Sequence, residues 1–248
     1  MKPLILVSND DGVEAVGLER LAGSVAGLGE VRIVAPSRNH SGASHSLTLR
    51  DPLRVRQIAP DRFSVDGTPT DCVNLGFFRL SDRYPDLVLS GINAGWNLGD
   101  DVTYSGTVSA ALEGALLGRP AIAFSRERSA DTHWDEVTRF IRSLAARVLR
   151  DGLPTDTLLN VNFPGGAPKG VRATRQGRRV NEIVRAEPVP PAGGEWFTIA
   201  EPVPDWRDDP DADVFAVRAG YISVTPLHPD LTRHEAVSTV ASWHLGLE

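Results

Sequence analysis

Short apolar stretches alternate with segments of helical periodicity through the first two thirds of the chain. Four to seven apolar or small residues bounded by turn formers predict buried strands, and apolar residues three or four positions apart predict helices. The predicted strands are 4–7, 30–35, 86–90, 121–125 and 157–163. The predicted helices are 14–29, 107–118 and 134–150. This alternation predicts an α/β fold, namely a Rossmann-like, mostly parallel sheet flanked by helices with right-handed crossovers.

The pattern changes after Pro164, which divides residues 1–164, the predicted core, from residues 165–248. We interpret the second part as a C-terminal, β-rich extension of the same globular unit. Two extended segments, 182–187 and 195–200, flank a Pro/Gly turn and form an arm over about 182–200 that we expect to pack on another subunit. The other predicted elements are a loop over 205–213, a strand over 214–227 with a bend at Gly220, and a weak helix over 233–247.

Composition narrows the class of protein. The chain has 248 residues, 41% of them hydrophobic, which is enough for one packed core, and its net charge is −6. Its few clustered arginines are too sparse for a nucleic-acid-binding stripe, and no apolar run approaches a membrane span. Cys72 is the single cysteine, so no intrachain disulfide forms, and we expect a cytoplasmic protein with no basic leader.

The first predicted strand ends in two adjacent carboxylates, Asp10 and Asp11, followed by Gly12. In an open α/β sheet, ligands bind at the carboxyl ends of the strands. Two adjacent carboxylates repel each other, and a bound divalent cation is the simplest way to offset that repulsion. A plain Asp-Gly turn leading into the next helix explains the same residues, so this segment alone leaves both interpretations open.

Three further polar segments follow predicted strands or open a helix: 36–44, 90–101 and 104–107. The first has hydroxyl groups, the second has glycines and asparagines, and the third can combine an N-cap with an anion site at a helix N-terminus. Each alone is also explained as an ordinary loop or cap. Together they place carboxylate, hydroxyl and amide oxygens on one edge of the sheet, a set that suits Mg²⁺ or Mn²⁺ better than Zn²⁺.

These segments, with Gly-Thr-Pro-Thr-Asp-Cys-Val at 67–73 and Gly-Tyr-Ile-Ser-Val-Thr-Pro-Leu at 220–227, resemble the SurE family of stationary-phase survival proteins. The resemblance implies a metal-dependent 5′/3′-nucleotidase that hydrolyses nucleoside monophosphates and, as in some members of the family, short polyphosphate. It implies one Mg²⁺ or Mn²⁺ per subunit, held by Asp10, Asp11, Ser41 and Asn93, with the two aspartates also catalytic. It implies phosphate contacts from Asn97, Ser105, Gly106 and Thr107. It also implies a cytoplasmic homodimer or homotetramer with an exchanged C-terminal arm.

Two other functions remain open from the residues. A phosphatase that forms an aspartyl-phosphate usually carries Asp-x-Asp after its first strand, whereas Asp10 and Asp11 are adjacent here. A non-enzymatic nucleotide-binding module would not need two carboxylates beside a phosphate. His40 and His45 flank Ser41 and are candidate acids, although loop histidines are more often solvated or hydrogen-bonded.

Two further side chains have alternative roles. Asp71 is interpreted as the cap of a helix starting near Cys72. Trp96 either stacks on a nucleobase or covers the core.

Three positions depart from the pattern of the family. Val16 stands where the family usually has Pro, Ser37 where it often has Asp, and His45 where Asn is frequent.

Overall fold

The structure, a computed structural model, describes residues 1–128, 133–181, 184–189 and 196–246. The strands are β1 (Leu4–Ser8), β2 (Glu30–Pro36), β3 (Val55–Ala59), β4 (Arg62–Val65), β5 (Leu87–Ala94), β6 (Ala121–Arg126), β7 (Leu158–Phe163), β8 (Val171–Ala173), β9 (Arg185–Val189), β10 (Trp196–Ala200) and β11 (Ile222–Leu227). The helices are α1 (Val16–Val25), α2 (Pro69–Phe78), α3 (Gly106–Leu116), α4 (Trp134–Asp151), α5 (Asp213–Arg218) and α6 (His234–Ala241), with a 3₁₀ turn at Gly99–Thr103.

Within the part of the chain that the structure describes, nine strands form one sheet in the order β3-β4-β2-β1-β5-β6-β7-β11-β8. The pairs from β4 through β7 are all parallel, as is β11 with β8, whereas β3 pairs antiparallel with β4 and β11 pairs antiparallel with β7. The predicted mostly parallel α/β sheet is therefore confirmed. Because β11 and β8 continue this sheet, residues beyond 164 extend the core.

Helices cover both faces of the sheet. On one face, α1 and α4 bury Leu18, Leu21, Val137 and Ile141 among the side chains of the central strands. On the other face, α2 and α3 pack small and branched side chains, Val73 and Ala111 among them, against the sheet. Within the described residues, no helix is both long and apolar enough to span a membrane.

The neighbouring strands β1 and β5 are followed by segments that leave the sheet on opposite faces. The chain continues from β1 into α1 and from β5, through the 3₁₀ turn, into α3. These strands run parallel, with Ser8 opposite Ser90 at their carboxyl ends. A crevice opens at such a switch point of a doubly wound sheet, and ligands bind there.

The second helix begins at Pro69, three residues earlier than the start near Cys72 that the sequence suggested. Thr68 is its N-cap, accepting a hydrogen bond from the Asp71 backbone N–H, while the Asp71 side chain accepts one from the Thr68 N–H. Proline at the first helical position and this reciprocal capping box fix the start. Asp71 thus takes part in the capping, but as the N3 partner of Thr68, and its prediction as the cap itself is wrong.

The prediction of a continuous strand over 214–227 is wrong, because Asp213–Arg218 form α5 and only Ile222–Leu227 form β11. A short apolar run such as Val-Phe-Ala-Val does not distinguish a strand from a buried helix by periodicity. The Asp213 carboxylate accepts the Val214 N–H, which favours a helical first turn. The bend at Gly220 is confirmed, with φ at +88° between the two elements.

Other boundaries also differ. The first helix ends at Val25 rather than 29, and the last spans only His234–Ala241 of the predicted 233–247. The strands β3, β4 and β8 were not predicted, since β3 and β8 are exposed edge strands without a regular apolar alternation. The arm is an antiparallel β9–β10 pair, and the predicted residues 182–183, 190–195 and 247–248 lie outside the described part of the chain.

Two glycines of α1 provide a matched test of the packing that positions the crevice. A Cβ on Gly17 would lie 2.0 Å from the Ile92 carbonyl oxygen, whereas a Cβ on Gly23 would meet nothing within 4 Å. We expect Gly17→Ala to destabilise the protein by about 1–3 kcal/mol through overpacking. Gly23→Ala should be stabilising by roughly 0.5–1 kcal/mol, because alanine loses less backbone entropy. Urea unfolding measures both, and equal effects would contradict this view of the α1–β5 contact.

Candidate active site

A cavity of about 460 Å³ lies at the carboxyl ends of β1 and β5. Six of the eight sequence-predicted site residues line it: Asp10, Asp11, Ser41, Asn93, Asn97 and Ser105. The other two, Gly106 and Thr107, are buried directly behind, in the first turn of α3. The topology thus brings together side chains that are almost 100 positions apart in sequence.

Asp10 is 3% exposed and is fixed by the N-terminal turn of α3. The Thr107 hydroxyl donates a short hydrogen bond to Asp10 Oδ1. Burial raises the pKa of Asp10, the Thr107 hydrogen bond opposes that shift, and the neighbouring Asp11 charge adds to it. A Cβ on Gly106 would lie only 2.8 Å from the Asp10 Cβ, so glycine is needed at this contact. The positive end of α3 therefore already faces one anion, the Asp10 carboxylate.

Asp11 is half-buried and is held by two other loops. Its Oδ1 accepts from the Asn39 amide at 3.2 Å, and its Oδ2 accepts from the Ala94 N–H at 3.3 Å. Asn39 in turn accepts the Ser41 N–H at 2.8 Å. The Asp11 carboxylate thus connects the segment after β2 with the end of β5, and it sets where Ser41 lies.

The two asparagines that follow β5 differ in their surroundings. The Asn93 amide nitrogen donates to the Gly95 carbonyl at 2.8 Å, so its amide oxygen is the atom that can act as an acceptor toward the cavity. Asn97 is 8% exposed, and its amide nitrogen donates to Ser125 Oγ at 2.7 Å. This bond uses one of the two amide protons of Asn97, and the other can still donate.

The Asn97 backbone is anchored on β7 by two other asparagines. Asn162 accepts the Asn97 N–H at 2.9 Å, and Asn160 and Asn162 both donate to the Asn97 carbonyl, at 2.8 and 3.1 Å. All three side chains are buried, so these bonds stay dry and directional. The polar interior of β7 therefore fixes the position of Asn97.

Ser105 is the N-cap of α3, and its Oγ accepts from the Val108 N–H at 3.0 Å. The hydroxyl proton of Ser105 remains available at the cavity, because a hydroxyl that accepts one bond can still donate another. Ser105 can therefore cap α3 and still donate a hydrogen bond to an anion, so the two roles inferred for residues 104–107 do not exclude each other.

The C-terminal extension holds the loop after β5 through Asp213, which is fully buried. Its carboxylate accepts backbone N–H bonds from Gly99, Gly177 and Val214 at 2.8–3.0 Å. Burial raises the pKa of Asp213, and these three donors oppose the shift. Arg179, whose side chain is 6% exposed, pairs with Asp101 at 2.6 Å. The extension is thus a structural part of the site.

Neither candidate histidine lines the cavity. His40 donates its backbone N–H to the Asp10 carbonyl at 2.7 Å, and burial followed by the Arg38 charge lowers the pKa of its ring. His45 Nε2 lies 2.9 Å from Glu113 Oε2, on a carboxylate only 8% exposed. The Asn74 amide also donates to Glu113. His45 thus anchors the Ser41 segment on α3, and this contact is structural.

Trp96 lines the cavity, but it is fixed in place. Its Nε1 donates to the Phe163 carbonyl at 2.6 Å, and its ring packs against a small cluster formed by the loop after β5 and α5. Sequence reasoning assigned no individual role to Asn39, Asp101, Arg128 and Glu201, which also line the cavity, and it placed Val184 in the arm. The sequence feature that could have identified Arg128 is its position just after the strand β6, at the same edge of the sheet.

The donor set includes only two carboxylates. Within the described residues, no group of three or more His, Cys, Asp or Glu side chains is placed to hold a metal ion. Of the oxygen donors predicted from the sequence, the carboxylates of Asp10 and Asp11 and the neutral oxygens of Ser41 and Asn93 all line the cavity. This hard-oxygen set fits Mg²⁺ or Mn²⁺, which prefer oxygen ligands and keep several waters.

Replacing His45 tests the anchoring of the Ser41 segment. His45→Ala leaves the buried Glu113 carboxylate with Asn74 alone, so we expect a loss of about 1–3 kcal/mol in the free energy of unfolding. His45→Gln keeps a donor and should lose less. Urea unfolding of the three proteins measures this, and an unchanged midpoint in His45→Ala would show that the contact does not support the segment.

Comparison with known proteins places this chain among relatives that match almost its full length. The family model for Survival protein SurE matches residues 5–182. Proteins named 5′-nucleotidase SurE are 47% identical over 244 residues in Syntrophotalea carbinolica and 48% identical over 250 residues in Alkalilimnicola ehrlichii. These matches cover 98% of this chain in both cases, with 98% and 96% of the respective relatives.

A solved structure agrees. The crystal structure of SurE protein from Aquifex aeolicus superposes with a TM-score of 0.86 at 43% identity, over 98% of this chain and 100% of that chain. The resemblance carried by the sequence motifs is confirmed, and the chain belongs to the SurE family.

Proposed function

We propose that this chain hydrolyses nucleoside 5′- and 3′-monophosphates to nucleoside and phosphate with the help of a divalent cation. As a member of the SurE family, whose relatives carry the name 5′-nucleotidase, the chain is an enzyme of that class. The observation that carries the finer proposal is the convergence of two carboxylates, neutral oxygens and a helix N-terminus around one cavity.

The proposed metal ligands are Asp10, Asp11, Ser41 and Asn93, with one Mg²⁺ or Mn²⁺ in each subunit. Their chemistry fits such an ion, since each offers a hard oxygen and two carry charge. When bound, the cation would act as a Lewis acid that polarises a phosphoryl oxygen and offsets the negative charge of the phosphate. Asp10 brings a rigid carboxylate, fixed by Thr107, and Asp11 brings one that responds to the position of the Asn39–Ser41 segment.

The proposed phosphate contacts are Asn97, Ser105, Gly106 and Thr107. Asn97 has one amide proton left after its bond to Ser125, and the Ser105 hydroxyl faces the cavity. Gly106 and Thr107 contribute the positive end of α3, which favours negative charge at this position. Fixed donors of this kind stabilise the charge on the phosphoryl oxygens without reorganising during the reaction.

We also propose that the protein is a cytoplasmic homo-oligomer, a dimer or a tetramer, and that short polyphosphate is a further substrate. The single cysteine, Cys72, is buried and unpaired, which suits a reducing compartment. Oligomerisation is supported by the arm, where Trp196, Phe197 and Ile199 are 60–66% exposed.

Phosphate release by the purified protein tests the proposed activity. Adenosine and guanosine 5′- and 3′-monophosphates are supplied to metal-free protein, alone and with Mg²⁺ or Mn²⁺. We expect hydrolysis that vanishes with chelator and returns with either ion. Full activity in protein shown to be free of metal would overturn the metal requirement, and no activity with either ion would overturn the proposed reaction.

Substitution of the paired carboxylates tests their assignment. Asp10→Asn and Asp11→Asn should each lower kcat/KM by at least about 100-fold, because a charged ligand is lost. Calorimetric Mn²⁺ binding should weaken in parallel, and near-normal turnover at saturating metal would contradict the assignment.

The same variants should fold. Because burial raises the pKa of Asp10, the folded protein binds that proton more tightly than the unfolded chain does. The stabilising effect of the protonated form is therefore lost as the pH rises through the raised pKa. At neutral pH, metal-free Asp10→Asn should be at least as stable as the unsubstituted protein, which separates loss of activity from unfolding.

Removal of the arm tests oligomerisation. Burying its apolar side chains on a second subunit would remove roughly 400–600 Å² of apolar surface, worth about 10 kcal/mol before ordering costs. Replacing residues 183–199 with a Gly-Ser bridge should therefore give monomers or aggregates. Sedimentation measures this, with Ile58→Ser, an exposed apolar residue on the edge strand β3, as the control. An unchanged oligomer after the deletion would rule the proposal out.

A further inference from the structure

The cavity combines an acidic lining with a single basic side chain. Among the described residues that line it, Asp10, Asp11, Asp101 and Glu201 are acidic, and Arg128 is the one Lys or Arg. Asp101 is already paired with Arg179. A phosphate ester that enters this cavity therefore meets repulsion from several carboxylates, and among the described lining residues Arg128 is the side chain that can offset it.

Arg128 lies two residues after β6, and its side chain is held against the end of β5. Its Nε donates to the Ala94 carbonyl at 3.0 Å, while the N–H of the same Ala94 donates to Asp11 Oδ2 at 3.3 Å. Since these two contacts span a single residue, Arg128 Nε and the Asp11 carboxylate are at most about 10 Å apart. The guanidinium is thus on the same strand end as the proposed metal ligands, but it is displaced from them.

The guanidinium has binding capacity left. One of its five N–H donors goes to the Ala94 carbonyl, and Arg128 is in none of the ion pairs found among the described residues. Arg126, two residues earlier, behaves differently: it donates to the Glu127 carbonyl and packs over the Trp134 ring. Of these two arginines, only Arg128 lines the cavity.

We propose that Arg128 binds a second phosphate group of the substrate, beyond the phosphoryl that is hydrolysed. This inference rests on the proposed function, in which Asp10, Asp11 and the N-terminus of α3 surround the hydrolysed phosphoryl. A guanidinium matches the geometry of a phosphate with two parallel hydrogen bonds. The position of Arg128 beyond Asn93 and Ala94, at an exposed rim, suits a group that the substrate carries farther out.

Two kinds of substrate have this chemistry, a nucleoside bisphosphate and a linear polyphosphate. Both present a second phosphate at a short distance from the one that is cleaved, and a nucleoside monophosphate does not. Arg128 then determines preference among substrates while leaving the bond-breaking step to the residues around Asp10.

The test compares kcat and KM of the metal-loaded enzyme for adenosine 5′-monophosphate, adenosine 3′,5′-bisphosphate and tripolyphosphate. Arg128→Met should lower kcat/KM for at least one of the last two by about tenfold or more, mainly through KM, because a charge-assisted bond is lost. For the monophosphate, we expect a change of less than about twofold. Arg128→Lys should recover part of the loss, since lysine keeps the charge without the paired donors.

Arg142→Met is the matched control, because Arg142 is also exposed and also donates to a backbone carbonyl, that of Ala26, away from the cavity. A loss with the bisphosphate alone, with tripolyphosphate alone, or with both identifies the source of the second phosphate. An equal loss for all three substrates, or no loss for any, overturns the proposal.

Calorimetric binding of tripolyphosphate to the unsubstituted protein and to Arg128→Met gives a readout independent of turnover. If the unsubstituted enzyme fails to hydrolyse the monophosphate, the proposed function fails, and this binding difference still decides the role of Arg128. Equal affinity of the two proteins would overturn that role.

Discussion

The site depends on a carboxylate that is buried at the end of the central strand. Asp10 is 3% exposed and lies beside a second carboxylate, so its ionised form requires compensation from its surroundings. The fold supplies this through the first turn of α3, where Thr107 donates to Asp10 and Gly106 allows close approach. Small residues are therefore needed in this turn, because the Asp10 carboxylate packs directly against it. In the proposed reaction, a divalent cation would add further compensation for the charges of Asp10 and Asp11.

The remaining side chains of the site are held by structure outside it. Asn97 is fixed by asparagines of β7, and Gly99 is fixed by Asp213 at the start of α5. These anchors are buried polar groups with matched partners, and such groups position a loop more narrowly than apolar packing does. The loop after β5 is therefore fixed to β7 and α5 by directional hydrogen bonds. Fixed donors of this kind are what the proposed binding of a small group such as a phosphate requires.

The sequence predicted much of this arrangement because its local signals agree with the fold. Strand-helix alternation gave the parallel sheet, and polar residues after β1, β2 and β5 met at one edge, as the topology requires. Two of the errors have a common cause in contacts between distant residues. The helix α5 depends on Asp213 reaching Gly99 and Gly177, and no pattern within 213–218 reveals this. Arg128 was missed for the same reason, since its relation to Ala94 exists only in the folded chain.

The charge distribution suggests how binding and chemistry are divided within one cavity. Carboxylates around the reacting phosphoryl favour a cation but oppose an anionic substrate, so affinity for the substrate has to come from elsewhere. In the proposed reaction, neutral donors at Asn97 and Ser105 would contribute this affinity without adding a charge beside Asp10. A positive side chain placed directly beside the paired aspartates would compete with a cation for them. Arg128 lines the cavity but donates to the Ala94 carbonyl, outside the contacts that hold Asp10 and Asp11. In our proposal, this separation of two positive charges lets one acidic cavity accept both a metal ion and a phosphate.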